Sequence, residues 1–302
     1  MHKHSINHSL KNYEKIETIS FLVKKLMAPN PSPFTLYGTG TYIIGRKQIC
    51  IIDPGPLIES HINKLLNSID KNLISHILIT HTHADHSPAA NILKKETGAK
   101  TYAYDSYPKG IIGNRFEEAH DKSFVPDVKL RDNDIVQGKD WTIKAIHTPG
   151  HTSNHLCFFL EQEKILFTGD HVMGWATTVV VPPDGDMDDY ISSLKKLLLH
   201  DYGIYYPTHG SPIKKPKKYV RGLIAHRKMR EIQILDELRK NSLSIDDMVP
   251  KFYSTTDKRL WPAASMSLLA TLISLERKKK IFCKGIELAD NQKVWVYNNF
   301  IK

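Results

Sequence analysis

Residues 77–86 read ILITHTHADH. Ile77-Leu78-Ile79-Thr80 has the apolar, β-branched make-up of a buried strand, and the six residues after it hold three histidines and one aspartate. Within those six, the alternate residues His81 and His83 can hold one ion from an irregular loop. Asp85 and His86 lie further along and can turn toward a second. A single zinc takes only three or four protein ligands, so one ion does not account for the whole run, and neither pair completes a site alone.

Four further stretches supply partners. They are Ile52-Asp53-Pro54-Gly55, Thr148-Pro149-Gly150-His151-Thr152, Phe167-Thr168-Gly169-Asp170-His171 and Pro207-Thr208-His209-Gly210. Most place a His or Asp just past a strand-like run, in a Gly- or Pro-rich turn, where rigid elements can aim short side chains at a common point. His81, His83, Asp85, His86, His151, Asp170 and His209 make seven candidate ligands, too many for one tetrahedral site. Seven suits two ions if Asp170 bridges them, as in two-metal hydrolytic sites. Imidazole and carboxylate donors without thiolate suit zinc, and admit iron or manganese. The remaining histidines lack such company: His2, His4 and His8 lie in the N-terminal segment, and His61, His76, His120 and His200 read as ordinary surface or core residues.

The first two thirds of the chain alternate strand-like and helix-like segments. A hairpin is expected over 41–52, with strands at 77–80, 142–147, 155–159 and 165–168, and helices at 58–69, 88–97 and 188–199. This alternation implies α/β layers. The texture changes near Lys214-Lys215-Pro216. Helices are expected at 217–240, 244–252 and 262–279, followed by two short strands, 281–284 and 293–297, joined by a polar connection around Asp290-Asn291. Three helices and a β-ribbon is the order of a winged helix, so the chain divides into residues 1–216 and 217–302.

Composition narrows the setting. The chain of 302 residues is 41% hydrophobic and 25% charged, in the ordinary globular range. No apolar run approaches the roughly 18 residues of a membrane span, and the N-terminal segment offers no signal-peptide core. Cys50, Cys157 and Cys283 are far apart and odd in number, which points to buried thiols in a reducing cytoplasm rather than a disulfide framework. The net charge of +10 favours anionic partners. About +6 of it falls in residues 222–302, which hold 15 Lys+Arg against 9 Asp+Glu.

HTHADH, TPGHTSNH, TGDH and PTHG, preceded by IIDPG, resemble the five motifs of the metallo-β-lactamase superfamily over roughly residues 30–212. The resemblance implies an αββα sandwich with the metals at one edge, here with a small C-terminal winged-helix-like domain. It implies His81, His83 and His151 for one ion, Asp85, His86 and His209 for the other, and Asp170 for both. Asp53 would support the ligands from behind. The chemistry implied is hydrolysis by a water or hydroxide whose pKa the ions depress, with Asp85 as the catalytic residue that orients it.

Several substrates fit that chemistry. GDHVMGWATTVVVPPDGDMDDYISSLKKL and AHRKMREIQIL resemble the lactamase-β-like endoribonuclease branch, which implies single-stranded RNA as substrate, and the basic C-terminal region agrees with an anionic polymer. The rival is a small anionic acyl or thioester substrate, as for glyoxalase II, with the C-terminal helices as a lid. A third reading is a non-enzymatic nucleic-acid-binding winged-helix protein, against which the complete ligand set speaks. Trp175 and Thr177, just after Asp170, are expected to line the pocket. His226 and Arg227, with Arg230 one turn on, could face the metal edge and hold a phosphate or carboxylate. The winged helix is also a candidate dimerisation surface, so a homodimer stays open.

Overall fold

The computed structural model describes residues 13, 15–108, 120–284 and 293–298. The N-terminal histidines His2, His4 and His8 and the connection around Asp290-Asn291 lie outside the described residues. Seven strands form one sheet in chain order: β1 (Glu17–Thr18), β2 (Val23–Met27), β3 (Gly40–Ile44), β4 (Ile49–Ile52), β5 (Ile74–Leu78), β6 (Lys100–Ala103) and β7 (Val128–Lys129). Pairing is antiparallel from β1 to β4 and parallel from β4 to β7. The parallel steps need crossovers, which α1 (Glu59–Ser68) and α2 (Ala89–Thr97) provide. A second sheet contains β8 (Ile135–Gln137), β9 (Thr142–His147), β10 (Leu156–Leu160), β11 (Ile165–Phe167) and β12 (Ile204–Tyr206). There α3 (Met187–Leu198) joins the parallel pair β11 and β12.

The period-2 alternation of the strands sorts side chains into layers. Cys50 and Ile52 of β4 meet Leu156, Phe158 and Leu160 of β10 between the sheets. Their neighbours Ile49 and Ile51 face outward beneath Ile62 and Leu65 of α1 and Leu93 of α2. On the far side, Cys157 and Leu166 pack under Tyr190, Leu194 and Leu197 of α3. Two sheets face to face with helices outside each make an αββα sandwich. The helices carry their own stop and start signals. Asp186 accepts from the Asp188 and Asp189 amides at the N-terminus of α3, with Lys195 and Lys196 in its last turn, as the helix dipole favours.

The C-terminal region follows the expected order: α4 (Pro216–Leu238), β13 (Leu243–Ser244), α5 (Ile245–Phe252), α6 (Trp261–Arg277), β14 (Ile281–Lys284) and β15 (Val294–Tyr297). Its three-stranded sheet runs β13-β15-β14, and Ile234, Leu238, Met248, Leu272, Leu275 and Trp295 share a separate core. The first half of α4 does not belong to that core: Val220 and Leu223 pack with α3, as does Ala270 of α6. The expected division at 216/217 therefore falls at the start of a helix that serves both cores.

Chain direction fixes where the loops gather. β4 and β5 are parallel, as are β11 and β12, and β9 runs with β11 because each is antiparallel to β10. The C-terminal ends of these five strands carry the five motif stretches and meet at one edge of the sandwich.

One buried cation makes the fold pH-sensitive. Lys25 of β2 is 9% exposed, with Nζ 5.3 Å from the Tyr42 ring centroid. Burial lowers its pKa from 10.5 to about 8, the charge of Glu17 opposing the shift. Between those values the unfolded chain binds the proton and the folded one does not, so stability rises with pH there, and the penalty is fully present below pH 8. Lys25→Met is expected to raise stability at neutral pH by an amount of order 3 kcal/mol, the gain vanishing above pH ~10. Urea denaturation of both proteins from pH 7 to 10.5 measures this; a pH-independent difference would refute it.

Candidate metal centre

The left-handed backbone of Asp53 (φ 49°), a conformation Asp tolerates better than most residues, turns the chain sharply after β4. Its side chain is fully buried. It accepts from the Thr80 amide (2.8 Å) and Thr80 hydroxyl (2.7 Å), and its Oδ2 lies 2.8 Å from His86 Nδ1. The ends of β4 and β5 are thereby joined through one carboxylate.

Two glycines let distant loops close on that edge. A Cβ on Gly150 (φ 132°) would sit 2.3 Å from the Tyr190 amide nitrogen, so only glycine lets the 148–152 loop lie on α3. A Cβ on Gly169 (φ 50°) would sit 2.5 Å from His155 Nε2. The turn after β12 is held by Tyr42, whose hydroxyl donates to the Pro207 carbonyl at 2.6 Å, and by the Gly40 amide, which donates to Thr208 O at 3.1 Å.

All seven candidate ligands are brought together at this edge. His81 Nε2 and His83 Nδ1 are 2.9 Å apart, and His151 Nε2 is 3.2 Å from His83 Nδ1. Two nitrogens sharing one zinc at ~2.0–2.1 Å with tetrahedral angles stand about 3.3 Å apart. A second group comprises Asp85, His86 and His209. Asp85 Oδ2 lies 3.4 Å from His86 Nε2 and 3.2 Å from His209 Nε2. Asp170 stands between the groups. Its Oδ1 is 3.6 Å from His86 Nε2 and 3.4 Å from His209 Nε2, and its Oδ2 is 3.9 Å from His151 Nε2.

Behind the donors, three rings are anchored through Nδ1. His151 Nδ1 bonds Val179 O at 2.8 Å, and His209 Nδ1 bonds Gly38 O at 2.9 Å. His81 Nδ1 lies 3.0 Å from the Thr80 hydroxyl. These contacts leave Nε2 of all three rings facing the cluster. Thr39 donates to Asp85 Oδ2 at 2.8 Å.

The electrostatics differ between the two groups. Burial lowers the pKa of His81, His83 and His151, and neighbouring histidines lower it further, so their lone pairs are available. Burial also opposes charge on His86 and His209, but Asp85 and Asp170 outweigh it. His86 is driven well above its ordinary value, and His209 up to about 10. Burial would raise the carboxyls of Asp85 and Asp170; the facing His86 and His209 reverse this and hold both below the ordinary range.

The residues fit a metal. Among the described residues, His86 Nε2, His209 Nε2, Asp85 Oδ1 and Asp170 Oδ1 are buried without a hydrogen-bond partner, yet converge within a few ångströms of one another. Buried polar groups are ordinarily satisfied, and a cation would satisfy all of these at once. The imidazole and carboxylate set suits divalent ions.

Some of the site was not legible as ligand spacing. His120, expected to be an ordinary surface or core residue, packs its ring at a tilt, 4.6 Å from that of His83 and 4.0 Å from that of Tyr107. His155 supports Asp170 by accepting from its amide at 3.2 Å. Thr39 and Thr80 carried no signal beyond adjacency to a motif or a strand end.

Trp175, Thr177, His226 and Arg227 all line one cavity of about 250 Å³. Pro33, Phe34, Met173, Ala263 and Leu260 form much of the remaining wall. The 173–179 loop is shared, since Thr178 and Val179 line the cavity while bonding Asp170 and His151. Arg227 is buried, donates to Thr178 O, and lies 5.2 Å from the Tyr190 ring centroid. Arg230 stacks instead on Tyr253 at 4.3 Å.

Residues 35–209 match the metallo-beta-lactamase superfamily, and residues 244–286 match the beta-lactamase associated winged helix domain. The "Beta-lactamase-like protein 2 homolog" of Caenorhabditis elegans is 33% identical over 253 residues, covering 77% of this chain and 76% of that protein. The "Atrochrysone carboxyl ACP thioesterase" of Claviceps purpurea is 31% identical over 248 residues, covering 79% and 74%. A beta-lactamase domain protein from Burkholderia ambifaria superposes with a TM-score of 0.79 at 19% identity, over 95% of this chain and 94% of that one. The fold is thus shared across both regions.

His83→Ala is expected to lower bound divalent metal, and Asp53→Asn to weaken metal retention by about 10–100-fold while leaving the fold intact. Metal analysis after dialysis against graded chelator reads both. Wild-type retention in His83→Ala would remove it from the ligand set.

Proposed function

We propose that this chain, which belongs to the metallo-β-lactamase superfamily, is a dinuclear metal hydrolase acting on an acyl thioester or related acyl substrate. The cavity carries this reading: a chamber walled mainly by apolar side chains shares the 173–179 loop with the metal donors. Such a wall suits an acyl group, because an apolar chain gains about 0.8 kcal/mol per buried methylene. The relatives named as thioesterases lend support.

His81, His83 and His151 would hold one ion and Asp85, His86 and His209 the other, with Asp170 facing both. Zinc suits these donors, with iron and manganese as alternatives. Bound ions would lower the pKa of water toward neutrality and polarise the scissile carbonyl. Asp85 keeps Oδ2 on Thr39 and has Oδ1 without a hydrogen-bond partner among the described residues, so Oδ1 is the atom to accept a hydrogen bond from the attacking water and orient it. Trp175 lines the chamber and would contribute its indole to the wall that receives the substrate. Helices α4 and α6 supply part of the chamber wall through His226, Ala263 and Ala264.

One observation favours cleavage of single-stranded RNA as a second reading. Lys214, Lys215 and Lys218 line an open groove of about 650 Å³ that also includes Trp175 and Thr177. Together with the net charge of +10, this groove would attract a polyanion.

Metal-loaded protein is expected to hydrolyse acyl-glutathione thioesters, to lose turnover on chelation and to regain it with zinc. Ala264→Trp, which fills the chamber, is expected to lower kcat/KM for long acyl chains by at least ~10-fold while sparing acetyl thioesters. Cleavage of single-stranded RNA with thioesters left intact would replace this reading by the second.

A further inference from the structure

Residues 178–180 are bonded to the metal donors on one side and to the C-terminal helices on the other. Toward the donors, the Thr178 hydroxyl lies 2.7 Å from Asp170 O and 3.1 Å from His171 O, and Val179 O accepts from His151 Nδ1 at 2.8 Å. From the opposite side, Arg227 of α4 donates to Thr178 O, and Ser267 Oγ of α6 accepts from the Val180 amide at 3.1 Å. The carbonyl that orients His151 is therefore flanked, one residue either way, by a bond to the C-terminal region.

Both outside partners are built for rigidity. Arg227 and Ser267 are each 6% exposed. Arg227 is further fixed over the Tyr190 ring. The helix bearing Ser267 is tied to α3 at its far end, where Arg277 pairs with Asp186 and Lys278 Nζ lies 2.6 Å from Asp188 Oδ1. Since Asp186 caps α3, the whole clamp is anchored to the catalytic sandwich.

We propose that Arg227 and Ser267 are positioning residues for the metal ligand His151, so that the C-terminal region completes the metal centre instead of serving only as a separate binding module. The inference rests on the metal assignment above. To coordinate through Nε2, His151 must keep its proton on Nδ1, and the Val179 carbonyl is what accepts that proton's hydrogen bond. If the 178–180 segment relaxes, both tautomer and ring direction lose their constraint. Asp170, whose carbonyl is bonded by Thr178, is disturbed through the same segment.

The test compares full-length wild type with Ser267→Ala, Ser267→Thr and Arg227→Met, using Met229→Ala on the exposed side of α4 as a control. Two quantities are read: zinc retained against graded chelator, and hydrogen exchange of the 178–180 amides in metal-free protein. Ser267→Ala is expected to speed exchange at Val180 and to release one equivalent of zinc at about tenfold lower chelator, as loss of an outer partner typically does. Ser267→Thr, which keeps the hydroxyl, should restore both readings, and Met229→Ala should match wild type. If Arg227→Met fails to fold, the Ser267 pair decides. The proposal is overturned if Ser267→Ala holds zinc as wild type does, or if it loses all zinc together with its thermal transition. Failure of wild type itself to bind zinc or another divalent ion would instead overturn the metal assignment.

Discussion

Seven buried imidazole and carboxylate groups aimed at a common centre are an electrostatic liability that the rest of this fold exists to hold in place. Each such group costs several kcal/mol to remove from water unless it finds a partner, and several atoms here find none among the described residues. The two layered cores supply the rigidity that keeps these groups from collapsing onto one another. Tyr42 shows the coupling most directly: its ring packs between the sheets, and its hydroxyl fixes the turn that presents His209.

The asymmetry between the two donor groups follows from composition. Three imidazoles facing each other suppress one another's protonation, whereas two imidazoles facing two carboxylates are driven to hold protons. Asp170 belongs to both environments through its two oxygens. A cation placed in the second group must displace protons; in the first it meets neutral nitrogens. One scaffold edge thus offers two sites of unlike character within a few ångströms.

The C-terminal region is joined to this edge more closely than its separate core suggests. Helix α4 contributes Val220 and Leu223 to the sandwich and Ile234 and Leu238 to the small domain. α6 likewise gives Ala270 to one core and Leu268, Leu272 and Leu275 to the other. Shared helices of this kind transmit position, because a helix is stiff over its length and its two faces cannot move independently. The chamber lies at this junction and is built from both regions.

The candidate ligands were legible because their signal is local: His, Asp, Gly and Pro at strand ends, with β-branched runs before them. The hairpin at β3 and β4, the crossover helices and the three C-terminal helices were legible for the same reason, through periodicity. Strand β2, with Lys24 and Lys25 at its centre, and β6, which begins on a lysine, lacked an apolar run and became strands only by pairing with stronger neighbours. What no local pattern could convey was which distant groups meet. His120 on the ring of His83, Arg227 on the Thr178 carbonyl, and Ser267 on the Val180 amide are contacts between residues 37, 49 and 87 positions apart. The sequence by itself determined the chemistry of the centre, since the donor types and their order are written in short stretches. Tertiary structure alone decided what surrounds it, because burial and long-range packing set which side chains are free to act and which are consumed in holding others still.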